Sequence, residues 1–227
     1  MTTGRRDFLE TVATGTLGAA ALGTLQAARA EAQTPARSWN LTWTKKLTGK
    51  YRAVFDVPAV EDGYGIWRTA IWRKQYATIF GVSETSLGTV MVLRHDGIAL
   101  ALNNRFWEKY GIAKKWNVHD PASREPFAKN PVIERTGAAA LPGEFAGFTL
   151  EDLLAGGVTV LACALALRDC AQLVADQDKI GTEAAMQQVR MMLVPGVVLQ
   201  PSGIFAVVLA QDNGCRFVQG SATGGRS

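Results

Sequence analysis

The most reactive atom this sequence offers is a cysteine sulfur at the joint of a strand and a helix. Val158, Thr159, Val160 and Leu161 form a short β-branched apolar run that predicts a buried strand. The Leu/Ala/Gln/Asp pattern from Ala164 to about Asp176 predicts a helix. Cys163 stands between them. In an open α/β sheet that joint lies at the carboxyl edge of the strands, where ligands bind. The unpaired N–H groups at the start of a helix stabilise negative charge on a neighbouring sulfur. His95 leaves a second apolar run (Thr89 to Leu93) at the same edge, where an imidazole can pair with a thiolate or serve as general base. Cys163 and His95 are therefore the candidate catalytic pair. Arg94 and Arg168 are candidates for holding an anionic substrate, because guanidinium meets planar oxyanions in a bidentate manner. Ser202 is the third candidate substrate contact, although its place between Pro201 and a helix also suits an N-cap. The competing reading for Cys163 is a small buried hydrophobe, the commonest fate of a free cysteine.

The elements that must position these residues alternate along the chain. Strands are expected at 51–57, 88–94, 158–161, 197–199 and 216–218, the first stopped by Pro58. Helices are expected at 62–80, ended by Gly81, and at 104–110, closed by Gly111. Thr149 with Asp152 forms the capping box of a short helix. Further helices follow Cys163, open at Thr182 and halt at Val194-Pro195-Gly196, and run from Ile204 to about Gln211. This alternation predicts an α/β fold of βαβ units, with a mostly parallel sheet of about five strands covered on both faces. Residues 114–147 are broken by Pro, Asn and Gly, as in a lid, an oligomer contact or a loop. Trp39, Leu41 and Trp43 alternate within an extended arm, residues 31–48, ahead of the domain proper, residues 49–227.

Residues 1–30 read as an address. Gly4-Arg5-Arg6-Asp7-Phe8-Leu9-Glu10, a weakly apolar stretch and Ala28-Arg29-Ala30 resemble a bacterial twin-arginine signal with its small-x-small cleavage site. The expectation is a periplasmic protein with no stable membrane span, since no segment offers about 20 unbroken apolar residues. The net charge of +4 is small and its lysines and arginines are scattered, which argues against nucleic acid. No Gly-x-Gly-x-x-Gly or phosphate-binding loop occurs, and two histidines and three cysteines form no recognisable metal site, so no cofactor is expected. Cys163 and Cys170 are seven residues apart on one helix, about 10 Å, too far for a bridge. If a disulfide forms, Cys170 with Cys215 is the pair, and Cys163 is left as the free thiol.

Arg94-His95-Asp96-Gly97-Ile98-Ala99-Leu100-Ala101-Leu102-Asn103 with Phe106-Trp107-Glu108-Lys109-Tyr110 resembles the DsrE/DsrF-like family, and so does the run from Gly157 to Arg168. Leu193-Val194-Pro195-Gly196 and Pro201-Ser202-Gly203-Ile204-Phe205-Ala206 extend the likeness over residues 50–218, most closely to exported members. The resemblance implies a three-layer α/β/α sandwich that assembles into homo-oligomers. It also implies that Cys163 matches the cysteine that accepts sulfane sulfur as a persulfide and relays it between a donor and an acceptor protein. The family's relays work in the cytoplasm, which sets an exported chain apart from them. The expected function is thus a sulfur carrier, with a non-catalytic oligomeric module binding a small ligand between His95 and Cys163 as the alternative.

Overall fold

Five of the apolar runs become strands: β1 (Arg52–Val57), β2 (Gly88–Leu93), β3 (Thr159–Cys163), β4 (Val198–Gln200) and β5 (Arg216–Gln219). The computed structural model describes residues 39–120, 123–133 and 148–221. The signal-like residues 1–30, and the arm residues ahead of Trp39, lie outside the described residues. The strands pair in the order β4-β3-β2-β1-β5, and every pairing is parallel. Alternation along the strands divides the core. Phe55, Met91 and Val160 face one layer, and Val54, Val90 and Leu161 face the other.

The first layer is thick. It holds α1 (Tyr64–Phe80), α2 (Asn104–Tyr110), α3 (Ile112–Lys115), α4 (Leu150–Ala155), α5 (Ala164–Asp178) and α6 (Thr182–Met191). Ile66, Phe106, Ile112, Leu150, Leu167 and Val189 of these helices share one buried cluster. The second layer is thin: α7 (Gly203–Asp212) and a 3-10 turn, Thr42–Lys46, supply Ala206, Ala210 and Trp43. The fold is therefore an α/β/α sandwich. Its chain steps from β1 to β4 with crossovers on the first face, then returns under α7 to place β5 beyond β1.

Local chemistry explains the helix ends. Gly81 and Gly111 take left-handed conformations (φ 61° and 56°) just past α1 and α2, where a side chain would be strained. Thr149 Oγ1 accepts from the Asp152 N–H at 3.0 Å and Asp152 returns a bond to the Thr149 N–H at 3.1 Å, completing the capping box of α4. α1 begins at Tyr64 and not at residue 62, because Asp62 and Gly63 both adopt positive φ (51° and 92°).

The arm differs from its expected form. Residues 42–46 are a 3-10 turn, because Asn40 Oδ1 captures both the N–H and the hydroxyl of Thr42, at 3.0 and 2.7 Å. That turn sends Trp43 into the second layer, buried with Leu47, while Leu41 stays exposed.

The one disulfide pair that the sequence left open, Cys170 with Cys215, does not form. All three cysteines are free, with Cys170 buried in the first layer and Cys215 in the second, so the sheet stands between them. Within residues 114–147, Asn130 is buried. Its Nδ2 donates to the carbonyls of Leu100 and Leu102 at 3.0 and 2.7 Å, and its Oδ1 accepts from the Val132 N–H at 3.1 Å. Among the described residues no helix is long and apolar enough to cross a membrane.

Candidate functional site

The carboxyl ends of the strands gather four side chains that the sequence scatters over more than a hundred positions. Asp56 is the next-to-last residue of β1, and Arg94 follows the last residue of β2. Cys163 ends β3 and pairs in register with Gln200, which ends β4. Leu93 pairs with Ala162, so Arg94 and Cys163 are the next step along neighbouring strands. The N-terminus of α7, with Ser202 as its cap, meets the same edge.

Cys163 is the N-cap of α5. Its backbone is extended, and its Sγ accepts from the Ala166 N–H at 3.4 Å. A sulfur so placed stands at the positive end of a helix of 15 residues. It is 6% exposed, close beneath the surface. Burial is the largest of the influences that push the Cys170 thiol far up, with Asp169 and Asp96 adding to it. Burial pushes Cys215 up to about 11, against the opposing influence of Arg52. Neither supplies a nucleophile near neutral pH.

Arg94 is committed to a carboxylate. Its Nε and Nη2 donate to Asp56 Oδ1 and Oδ2 at 2.6 and 2.7 Å, a bidentate pair that is largely buried. The hydrogen bond to Asp56 is the main reason its pKa is raised; burial opposes this, and the charges of Asp56 and Cys163 add to it. Cys163 is thus within electrostatic reach of Arg94. The guanidinium's stem lies directly on α7: a Cβ at Gly203 would fall 2.6 Å from both the Cβ and the Cδ of Arg94. Only glycine lets the first turn of α7 approach so closely.

The remaining expected residues spread out. His95 is exposed, with a left-handed backbone (φ 45°) that starts the 3-10 helix His95–Ala101, and no hydrogen bond joins it to Cys163. Arg168 is exposed on α5. Ser202 Oγ is occupied as an N-cap, accepting from the Phe205 N–H at 3.0 Å. Arg94 and Cys163 are therefore brought together; Arg168 and Ser202 take the positions of a solvated helix residue and a cap.

Sequence reasoning missed Asp56 and Gln200. The signal for Asp56 was legible: a carboxylate inside Ala53-Val54-Phe55-Asp56-Val57 sits in a buried strand and requires a partner. Gln200 is fully buried; its Nε2 donates to the carbonyls of Asn40 and Leu199, both at 3.0 Å, while Oε1 accepts no hydrogen bond from the described residues. This leaves an unused acceptor on the strand beside Cys163.

The crevice where β5 returns beside β1 is closed. Gly220 N–H donates to the Asp56 carbonyl at 2.7 Å, and Ala59 N–H to Ser221 Oγ at 3.2 Å. Among the described residues no group of three or more His, Cys, Asp or Glu could hold a metal ion. No family model matches the chain, and no curated protein matches it either.

Proposed function

We propose that this protein is an exported, DsrE-like sulfur carrier in which Cys163 accepts and passes on sulfane sulfur. The observation that carries the reading is the Cys163 sulfur at the N-terminus of α5, accepting a backbone N–H and within the field of Arg94. In the first step the Cys163 thiolate attacks the outer sulfur of thiosulfate or of a hydropersulfide. The S–S bond of the donor breaks, sulfite or a thiolate leaves with the electron pair, and Cys163 carries a persulfide. An acceptor thiolate then attacks that outer sulfur and restores the Cys163 thiolate, so no external oxidant or reductant is consumed. With Cys163 only 6% exposed, the donors that suit it are small inorganic or terminal sulfane species.

Incubation with thiosulfate or polysulfide, followed by intact-mass measurement and cysteine mapping, tests the proposal. The expected result is one added sulfur atom on Cys163, removed by thiol reductant. Unchanged sulfur uptake in Cys163→Ala overturns it. The second reading, a non-catalytic module binding a small ligand near Cys163, draws on the burial of that residue and on the engagement of Arg94 by Asp56. A Cys163 that resists both sulfur donors and alkylation in the folded protein would favour it.

A further inference from the structure

At the opposite end of the sheet, a cavity of about 510 Å³ opens between the start of β1, the last turns of α1 and the edge strand β5. Its size falls among pockets that hold small molecules, about 300–1,000 Å³. One wall is an aromatic ladder. Trp72, Tyr76 and Phe80 recur every four residues on α1, with ring centroids 4.8 and 5.1 Å apart along the series. Tyr51, just before β1, stacks on Phe80 at 4.7 Å and meets Tyr76 edge-on at 5.6 Å. The ladder continues outward to a half-exposed Phe80, so flat apolar faces end in solvent.

The rest of the lining is basic. Among the described residues, Lys50, Arg52 and Arg216 border the cavity and no carboxylate does. Arg52 is held in place by carbonyls alone, its Nη1 donating to Leu47 O and Asn213 O at 3.1 and 2.8 Å. Gly214 has no side chain to displace that guanidinium: a Cβ there would lie 3.3 Å from Nη1. Lys50 Nζ rests 5.1 Å from the centre of the Tyr51 ring. Among the described residues none of these three cations pairs with an acid. Arg73, Arg94, Lys109 and Lys129 each do.

We propose that this cavity binds a small planar aromatic anion, with one or two fused rings lying against the Tyr51–Tyr76–Phe80 faces and a carboxylate, sulfonate or phosphate met by Lys50 and Arg216. Aromatic faces favour offset or edge-on contact with a flat ring. Guanidinium groups without a counter-ion favour a planar oxyanion. The two halves together select against neutral aromatics and against aliphatic anions. Arg52 and Asp56 are four residues apart on β1, about 13 Å, so this site is separate from the sulfur of Cys163.

Calorimetric titration of the full chain with naphthoate, and with neutral naphthylmethanol, tests the proposal. Naphthoate is expected to bind at least about tenfold more tightly, with an affinity that falls as salt is raised. Arg216 and Lys50 are exposed, so Arg216→Glu and Lys50→Glu should leave folding intact and weaken naphthoate about tenfold each without changing the alcohol. Tyr76→Ala should weaken both ligands, and Cys163→Ser neither. Equal affinity for acid and alcohol, full naphthoate affinity in both charge-reversal variants, or no heat at millimolar naphthoate would overturn it.

Discussion

The two ends of the sheet handle positive charge in opposite ways. At the carboxyl end, Arg94 is neutralised by a bidentate carboxylate and pressed against α7, leaving the Cys163 sulfur as the group without a fixed ionic partner. At the amino end, Lys50, Arg52 and Arg216 border a cavity that no acid among the described residues lines. Internal pairing therefore makes the first end a scaffold around one atom, while its absence makes the second a receptor for charge from outside. The amino end also contains an exception that defines the rule. Arg73 is 2% exposed there, and its Nη1 and Nη2 donate to Thr89 Oγ1 and the Gly156 carbonyl at 2.9 and 2.6 Å. Burial lowers its pKa, and Glu84 at 3.6 Å partly restores it. At this end Arg73 is thus buried and paired with an acid, whereas Lys50, Arg52 and Arg216 border the cavity without one among the described residues.

The comparison is broken most directly at the Asp56–Arg94 pair. Asp56→Asn leaves a largely buried guanidinium without its counter-charge and should cost about 3 kcal/mol in urea unfolding. Replacing both partners, Asp56→Leu with Arg94→Met, should recover most of that loss. A single variant as stable as the parent would mean that the two ends do not differ. The amino end is sharpened by two arginines. Arg73→Met should cost about 2 kcal/mol because it strands Thr89 and the Gly156 carbonyl, whereas Arg216→Gln should remain within about 0.5 kcal/mol of the parent. Equal losses in chemical denaturation would erase the distinction between bonded and unpaired cations.

The smallest effect concerns Asp178, which takes part in neither cluster. It accepts from Lys109 Nζ at 2.7 Å, Tyr110 Oη at 2.8 Å and Gln188 Nε2 at 2.9 Å, bonds that hold its carboxyl below the ordinary value of 3.8. The unfolded chain then takes up the proton first, so this contribution is present above that value and is lost as pH falls through the lower folded one. Asp178→Asn should lower stability at neutral pH and leave it little changed below the folded value, so that the acid limb of the stability curve flattens, as thermal melts across pH would record.

What was legible in the sequence was what neighbours decide. The Thr149–Asp152 capping box and the glycines after α1 and α2 are set within four residues, and the structure has them where the pattern put them. The β-branched runs are as local, and all five became strands. Partners chosen across the chain were not legible. Arg94 finds Asp56 38 positions away, and Arg73 finds the Gly156 carbonyl 83 away. A basic residue looks the same in the sequence whether it will be buried or wet. The arm was misread for a subtler reason: its Trp-Leu-Trp alternation is a strand's period, but one Asn40 side chain captured Thr42 and curled the backbone before any strand could pair with it.

The placement of the three sulfurs fixes an order of events. Cys163 ends β3 and Cys215 precedes β5, at opposite ends of strands separated by β2 and β1, while Cys170 lies across the sheet from Cys215. A bridge from Cys215 to either of the others can form only in a chain that has not yet closed its sheet, and one between Cys163 and Cys170 only where the first turns of α5 are not yet wound; either would then prevent native packing. An oxidant met before folding is a trap, and the same oxidant met afterwards finds no pair to join. The molecule is safe in an oxidising environment only if it arrives there already folded.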